Sequence, residues 1–284
     1  MRQSINMNFV KDIECRRGKN GLSNSILLKI KDRFYSLYEL KHTLIKKNRL
    51  TKLKNLYSGK RCFIIGNGPS LGYDDLQKLK KEITFGSNGI YLAKKYLNFE
   101  PTYYVVNDVN YLRNHYGEIM NVDSTKIFNF AGRILLKNSQ ANKIFLYREI
   151  PYNDHYSKER DFSLNPSIRI YGGATVIYVQ IQLAIYMGFK EIYLIGVDFD
   201  YGDLSNLKIV NEESFIASKS NKKYFVDNYL KEGLVYNIPR LDDHRNSFIH
   251  AKIICDKLGV KIYNASRKTK LDVFEMVDFD LLFN

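Results

Sequence analysis

The chain has 284 residues, of which 45% are hydrophobic and 26% are charged, a balance that is ordinary for a globular protein with a full core. Its three cysteines are scattered without a C-x-x-C pair, which disfavours a disulfide framework or a cysteine-based zinc site and favours a reducing compartment. No segment approaches the roughly 18 apolar residues of a membrane-spanning helix, and residues 1–10 lack the apolar core of a signal peptide. We therefore expect a cytoplasmic protein.

The basic charge is concentrated near the N-terminus. Residues 1–60 contain 15 Lys and Arg against 4 Asp and Glu, so they carry +11 of the net charge of +14. Apolar residues recur at three- and four-residue spacing over 22–56, which predicts a basic amphipathic helix. Such a helix suits an anionic membrane surface, which would make the protein peripheral on the inner face of the cytoplasmic membrane, or an acidic partner. The alternative is a solvated helix that packs on the main domain or on another subunit of a homo-oligomer. No nucleic-acid-binding motif is recognisable, so no nucleic-acid partner is expected.

These features divide the chain into a basic, helical N-terminal extension over 1–57 and a main domain over 58–284. From residue 60 onward, strands and helices alternate, which is typical of an α/β fold with a doubly wound, mostly parallel sheet. The predicted strands are 61–65, 82–86, 102–106, 126–130, 143–147, 191–195 and 260–263, and the predicted helices are 73–81, 90–97, 173–188 and 248–258.

A glycine-rich turn follows the first predicted strand, where residues 66–71 are Gly-Asn-Gly-Pro-Ser-Leu. Its small residues allow a ligand to approach the backbone N–H groups, and Pro69-Ser70 is typical of a helix start. A strand, a glycine-rich turn and a helix N-terminus form an anion site, so the turn is a candidate nucleotide-phosphate site. It is neither a P-loop nor a complete dinucleotide fingerprint, because Leu71 stands where the third Gly belongs. The alternative is a plain turn without a ligand.

Small polar residues stand at the carboxyl ends of four predicted strands, which is where ligands bind in doubly wound sheets. Asn and Asp are also common in turns, so each residue has a second explanation, but four successive strand ends favour a binding site. Asn offers both donors and acceptors, and can bind ribose hydroxyls, a base edge or a phosphate without adding charge. The residues are Asn67, Ser87, Asn88, Asn107, Asp108 and Asp198.

These motifs resemble two related protein groups. The GNGPSL turn, the strand ends at Ser87-Asn88 and Asn107, and GGATVIYVQIQLAIYMGFKEIYLIGVDFDY over 172–201 are similar to the MptE-like family and to the bacterial sialyltransferases of glycosyltransferase family 42. The namesake of the first is an archaeal 6-hydroxymethylpterin diphosphokinase, and that family also contains glycosyltransferases of bacterial surface polysaccharides and flagellin. Over about residues 60–265, the resemblance implies a Rossmann-like, GT-A-like single nucleotide-binding domain.

The resemblance also implies a site for a nucleotide-activated sugar. The donor phosphate and ribose would contact Asn67 and the backbone of 66–68, and a lid over about 200–243 would cover the donor. Gly173 stands where the sialyltransferases have Ser, so the hydrogen bond of that Ser is missing. The donor-binding residues implied in this way are Gly66, Asn67, Gly68, Ser70, Ser87, Asn88, Asn107, Asp108, Gly173, Ala174, Thr175, Asp198, Tyr201, Tyr224, Tyr229 and Arg245.

His244 is the candidate general base. It lies just before the predicted 248–258 helix, close to the position at which the family 42 enzymes have the histidine that acts as general base. An imidazole can accept a proton from an acceptor hydroxyl near neutral pH. Asp242 or Asp243 would orient the ring, and Arg245 would bind an acidic sugar or a phosphate. The alternative is that Asp242-Asp243-His244 merely caps the helix. The second candidate for the base is His155.

The sequence therefore predicts a glycosyltransferase of surface-polysaccharide synthesis, such as lipopolysaccharide or capsule. It would transfer an acidic sugar, sialic-acid-like or Kdo-like, from a CMP-sugar donor to a glycan or lipid-linked acceptor by inverting displacement. No convincing D-x-D motif is recognisable, so we expect no metal requirement and no tightly bound cofactor. One alternative is an ATP- and Mg²⁺-dependent diphosphotransferase that holds its metal with Asp108 and Asp198. Another is a noncatalytic nucleotide-binding component of a glycan assembly complex.

Overall fold

The structure is a computed structural model, which describes residues 49–137, 144–147, 149–150, 162–202, 207–218 and 224–284. All of these belong to one compact unit of the chain, Lys46–Asn284. The predicted basic helix over 22–56 lies outside the described residues except for its last part, where Arg49–Leu53 form a 3-10 helix. His155 also lies outside them.

Thirteen strands, numbered in chain order, are present in the described residues. They are β1 (Arg61–Ile65), β2 (Thr84–Ser87), β3 (Tyr103–Val106), β4 (Thr125–Asn129), β5 (Phe145–Tyr147), β6 (Glu149–Ile150), β7 (Ile170–Tyr171), β8 (Glu191–Ile195), β9 (Lys208–Asn211), β10 (Ser214–Ile216), β11 (Val235–Asn237), β12 (Lys261–Asn264) and β13 (Glu275–Met276). Eight of them form the main sheet in the order β13-β12-β8-β1-β2-β3-β4-β5, and every pairing in it is parallel. Strands β6 and β7 form a parallel pair, and β9, β10 and β11 form a small antiparallel sheet.

Six α-helices accompany these strands in the described residues. They are α1 (Tyr73–Lys78), α2 (Lys94–Leu97), α3 (Val109–Asn114), α4 (Tyr116–Met120), α5 (Val176–Tyr186) and α6 (Leu241–Lys257). Further 3-10 helices cover Leu79–Lys81, Asn88–Ala93, Phe130–Leu135 and Asp280–Phe283. No helix among the described residues is long and apolar enough to cross a bilayer.

The main sheet is covered on both faces, which explains why β1 is continuously apolar. Cys62 and Ile64 of β1 face the apolar cluster that contains α5 and part of α6, whereas Phe63 and Ile65 face the cluster that contains α1 and α3. All four side chains are fully buried, and burial of such a side chain contributes roughly 1.5–3 kcal/mol. The predicted doubly wound α/β fold is thus confirmed.

One helix start differs clearly from the prediction. Helix α1 begins at Tyr73, as predicted, so Pro69-Ser70 lie in the turn before the helix rather than at its start, and the Ser70 N–H donates to Asp198. Helix α6 begins at Leu241 rather than at Phe248. Asp242 and Asp243 lie in its first turn, where the helix dipole favours acidic side chains.

Candidate active site at the carboxyl edge of the sheet

The strand order reverses between β1 and β8. Strands β1 to β5 follow one another toward one edge of the sheet, and β8 then pairs with the other side of β1, from Arg61–Glu191 to Ile65–Ile195. A reversal of this kind opens a crevice at the carboxyl ends of the two strands, and ligands of doubly wound proteins bind there. The turns 66–71 and 196–202 follow these two strands and therefore define the candidate site.

The two turns are held directly against each other. The N–H of Gly66 donates to the carbonyl of Ile195 over 2.7 Å, and the N–H of Gly68 donates to the carbonyl of Gly196 over 2.9 Å. A Cβ atom on Gly66 would lie 2.2 Å from the Gly196 carbonyl oxygen, and one on Gly68 would lie 2.4 Å from the carboxyl carbon of Asp198. Both positions therefore require glycine for close approach rather than for a special backbone conformation.

The carboxylate of Asp198 lies in the glycine-rich turn. It accepts one hydrogen bond from the Ser70 N–H over 2.8 Å and another from the Ser70 hydroxyl. Burial raises the pKa of Asp198, and the two bonds from Ser70 oppose that effect. This corrects the expectation that free N–H groups of the turn point at a ligand anion, because the amides of Gly66, Gly68 and Ser70 are all bound within the protein.

Four buried polar atoms near the ends of β1 and β2 have no hydrogen-bond partner among the described residues. The side-chain amide of Asn67 donates to the Ser87 carbonyl over 3.1 Å, and that of Gln180 in α5 donates to the Gly86 carbonyl over 3.0 Å. Buried polar atoms are almost always paired, and each unpaired one costs about 1–3 kcal/mol. The four atoms are Asn67 Oδ1, Ser87 Oγ, Asn88 Oδ1 and Gln180 Oε1. Their grouping marks a place where a ligand would supply the missing partners.

Gln180 was not among the predicted site residues. A sequence signal for it exists, because Gln180 and Gln182 are the only strongly polar side chains in α5, whose sequence is VIYVQIQLAIY. The sequence alone does not show which of the two glutamines lacks a partner.

Strained backbone also occurs at this edge of the sheet. Asn88, Ala174 and Phe199 have positive φ angles of 47°, 60° and 53°, and they lie after β2, before α5 and after β8. Asn tolerates this conformation, whereas Ala and Phe rarely adopt it. Such strain persists where the surrounding structure holds it, and it concentrates at functional sites.

The predicted turn at Gly173, Ala174 and Thr175 lies beside His244. Gly173 and Ala174 both have positive φ, and Thr175 N closes the turn by donating to the Gly172 carbonyl over 3.3 Å. The Thr175 hydroxyl oxygen then caps α5 by accepting from Ile177 N over 3.4 Å. The His244 ring forms a hydrogen bond with the Ala174 backbone, so the structure brings these predicted residues together.

His244 is a buried, neutral imidazole. It lies in the first turn of α6 with 6% of its surface exposed, and its ring is edge-on to that of Tyr201, with 6.0 Å between the centroids. Burial lowers the pKa of His244 to about 4. The ring is therefore uncharged at neutral pH, and in this buried state it is a weaker base than the near-neutral imidazole that the sequence suggested.

The neighbours of His244 in sequence have other partners. Asp243 pairs with Arg240, with 3.0 Å between Oδ2 and Nε, so the structure gives it a partner other than the expected histidine ring. Arg245 forms a two-bond ion pair with Asp272 in which both side chains are well exposed, at 42% and 69%. The predicted roles of Asp243 and Arg245 therefore lack support from these contacts.

The segment 224–229, here called the tyrosine segment, contacts the ends of β1 and β2. The rings of Tyr224 and Tyr229 stack with 3.7 Å between centroids, and Phe225 N donates to the Asn67 carbonyl over 3.1 Å. Burial raises the pKa of Tyr229 well above its usual range, and hydrogen bonds from the Gly89 backbone and the Asn88 side chain partly offset this. Of the predicted lid over 200–243, residues 203–206 and 219–223 lie outside the described residues.

Asn107 binds a carboxylate that the sequence did not indicate. The side-chain amides of Asn107 and Asn129 donate to Oε1 and Oε2 of Glu149 over 2.9 and 3.0 Å. Burial raises the pKa of Glu149, and the two amides lower it. Gly172, directly before the turn at His244, has no room for a side chain, because a Cβ atom there would lie 2.3 Å from Glu149 Oε1. Glu149 belongs to no motif, and its role depends on strand neighbours that are distant in sequence.

Asp108 is a helix cap in this structure. Its Oδ1 accepts from Asn110 N over 2.8 Å and from Tyr111 N over 3.0 Å at the start of α3. In the part of the chain that the structure describes, no three His, Cys, Asp or Glu residues converge in a way that could hold a metal ion.

The fold and the edge described above define a Rossmann-like α/β protein with its candidate site at the switch point. The chain belongs to the MptE-like family, because the family model described as 6-hydroxymethylpterin diphosphokinase MptE-like matches residues 36–204, more than half of the chain. The resemblance to the MptE-like family inferred from the sequence motifs is thereby confirmed.

Among solved structures, the chain is similar to the MAf glycosyltransferase from Magnetospirillum magneticum AMB-1. The two share 16% sequence identity with a TM-score of 0.50, and the match covers 80% of this chain and 35% of the other. The chain thus spans about a third of that protein's length, and the similarity concerns the fold. No curated protein matches the sequence.

Proposed function

We propose that this protein is a glycosyltransferase that uses a nucleotide-activated sugar. The observation that carries this proposal is the neutral, buried His244 at the candidate site, held between the strained turn at Ala174 and the ring of Tyr201. A metal-independent sugar transfer needs a base that is unprotonated at working pH and lies beside the donor pocket. The unpartnered atoms at the ends of β1 and β2 would then belong to the nucleotide pocket.

The proposed reaction is a direct displacement with inversion. His244 would take the proton of an acceptor hydroxyl while that oxygen forms a bond to the anomeric carbon. The bond from that carbon to the phosphate oxygen breaks, and the nucleoside monophosphate leaves with the electron pair. We propose a CMP-linked acidic sugar as the donor, because it leaves with a single phosphate, and a glycan or lipid-linked molecule as the acceptor. Residues 22–56 would hold the enzyme at an anionic membrane surface.

The main alternative, an ATP- and Mg²⁺-dependent diphosphotransferase, needs carboxylates that are free to bind a metal. The two candidates from the sequence are Asp108 and Asp198, and both bind the protein itself. Asp108 caps α3, and Asp198 accepts two bonds from Ser70. These contacts favour sugar transfer over diphosphate transfer.

The test is to measure CMP release from CMP-activated acidic sugars, with and without glycan acceptors, for the wild type, His244→Ala and His250→Ala. His250 lies in the same helix but bonds to the Tyr178 hydroxyl over 2.9 Å, which makes it a matched control. We expect His244→Ala to lower the transfer rate roughly 10²–10⁴-fold with unchanged donor binding, and His250→Ala to retain activity. The proposal is wrong if His244→Ala transfers at the wild-type rate, or if the protein instead forms AMP from ATP only when Mg²⁺ is present.

A further inference from the structure

The orientation of two buried amides determines which of their atoms lack partners at the ends of β1 and β2. The NH₂ group of Asn67 faces the Ser87 carbonyl, and that of Gln180 faces the Gly86 carbonyl. If either amide were flipped by 180°, its oxygen would face the backbone carbonyl oxygen and the hydrogen bond would be lost. The orientation of both amides is therefore fixed. The oxygens Asn67 Oδ1 and Gln180 Oε1 are therefore the atoms left without partners.

Two further unpartnered atoms belong to residues that are adjacent in sequence, the Ser87 hydroxyl, which can donate or accept, and the Asn88 amide oxygen, which can only accept. The Oγ atom of Ser87 lies one residue after the carbonyl that Gln180 binds, and Asn88 Oδ1 follows it. The Asn88 amide is in hydrogen-bonding contact with the Tyr229 hydroxyl of the tyrosine segment. Three of the four unpartnered atoms are amide oxygens, which can only accept hydrogen bonds.

We infer that these four atoms form a subsite for uncharged hydrogen-bond donors of the nucleoside, a ribose hydroxyl or an exocyclic amine, and that Gln180 determines specificity there. The inference rests on the proposed use of a nucleotide donor. Phosphate oxygens are acceptors and would face an acceptor at three of the four atoms, all but the Ser87 hydroxyl, so the phosphate binds elsewhere along the edge. This keeps the expected contact of Asn67 with the ribose and removes the expected contact of its side chain with the donor phosphate.

Helix α5 contains a matched control for Gln180. Gln182 has the same side chain, lies two residues later and is likewise fully buried, at 0% exposure. Its Oε1 accepts from Ser163 N and Tyr171 N, and its Nε2 donates to the carbonyls of Tyr171 and Tyr178. Gln182 is therefore satisfied by the protein, whereas Gln180 makes one hydrogen bond and presents an unpaired oxygen.

The experiment measures binding of CMP to the wild type, Gln180→Met and Gln182→Met by calorimetry, together with the thermal unfolding of each protein. Met keeps the length of the side chain and removes both polar atoms. We expect Gln180→Met to weaken CMP binding about tenfold, the effect of one hydrogen bond, with little loss of stability. Gln182→Met should bind CMP within about twofold of the wild type but unfold at a lower temperature, because four hydrogen bonds are lost.

Ser87→Ala is a second variant that should fold, because the Ser87 hydroxyl forms no hydrogen bond within the part of the chain that the structure describes. We expect it to weaken CMP binding several-fold with unchanged stability. Binding of inorganic phosphate alone should be the same in the wild type, Gln180→Met and Ser87→Ala.

Two further ligands show which group of the nucleotide donates the hydrogen bond to Gln180. If a ribose hydroxyl donates it, the wild type and Gln180→Met should bind 2′,3′-dideoxy-CMP with the same affinity. If the base amine donates it, the difference between the two proteins disappears with UMP, whose base has a carbonyl in that place. A difference that persists unchanged in both ligands, or no difference with CMP, overturns the inference while leaving the proposed function intact. Absence of all nucleotide binding by the wild type overturns both.

Discussion

Gly66→Ala is the substitution that best tests how the two strand-end turns are held together. A methyl group on Gly66 would lie 2.2 Å from the oxygen and 2.7 Å from the carbon of the Gly196 carbonyl. Both atoms belong to the backbone, so no side-chain rotation can relieve the clash. The turns must move apart, and the hydrogen bonds from Gly66 N and Gly68 N, of 2.7 and 2.9 Å, would lengthen or break.

The expected cost follows from these contacts. Overpacking of a tight site costs about 1–3 kcal/mol, and each of the two backbone hydrogen bonds contributes about 1 kcal/mol. We therefore expect Gly66→Ala to lower the free energy of unfolding by about 3–5 kcal/mol, which corresponds to a fall of roughly 6–20 °C in the melting temperature. Nucleotide binding should be lost in parallel, because both turns belong to the carboxyl edge of the sheet at which the candidate site lies.

Urea unfolding followed by far-ultraviolet circular dichroism measures this change, and Gly117→Ala is its control. Gly117 lies in α4 with no atom within 4 Å of its added Cβ, so alanine there should be neutral or stabilise by about 0.5–1 kcal/mol. If Gly66→Ala is as stable as Gly117→Ala, the direct contact between the two turns is not a structural requirement, and the reasoning is refuted.

Three further predictions concern single side chains near the candidate site. Burial lowers the pKa of His244 to about 4, so its contribution to stability should be complete above pH 6.5 and be lost as the pH falls toward 4, by at most about 3 kcal/mol. His244→Gln should therefore make the free energy of unfolding in urea less dependent on pH. An unchanged dependence on pH would contradict this. Glu149→Gln should lower the free energy of unfolding by about 1–3 kcal/mol in the same assay. Both carboxylate oxygens accept hydrogen bonds from amides such as that of Asn107, and a glutamine would have to place its NH₂ group against one of these amides. Wild-type stability would contradict these hydrogen bonds. Arg245→Ala should leave donor affinity within about twofold, because Arg245 is paired with Asp272 at the surface, and a larger loss in calorimetry would return Arg245 to the binding site.

The regular part of the fold could be predicted from the sequence. Strands such as β1 and β8 are apolar runs that end in glycine-containing turns, and their alternation with helices indicates a doubly wound sheet. The start of α6 was missed because Asp242 and Asp243 were interpreted as residues before the helix, whereas they form its first turn.

The site was predicted in position more than in detail. Strand ends indicate which residues approach the crevice, but hydrogen-bond partners depend on neighbours far away in sequence. Asp198 accepts hydrogen bonds from Ser70, which is 128 positions away in sequence. These bonds occupy an N–H group of the turn that was expected to bind a phosphate. Gln180 and Glu149 were missed for the same reason, since nothing in the sequence distinguishes an unpartnered glutamine from the satisfied Gln182.

The most direct test of the proposed function is a calorimetric titration of CMP and of ATP into the wild-type protein, each with and without Mg²⁺. The proposal predicts binding of CMP with an affinity that Mg²⁺ does not change. Binding of ATP only in the presence of Mg²⁺, with none of CMP, would contradict it and would favour diphosphate transfer.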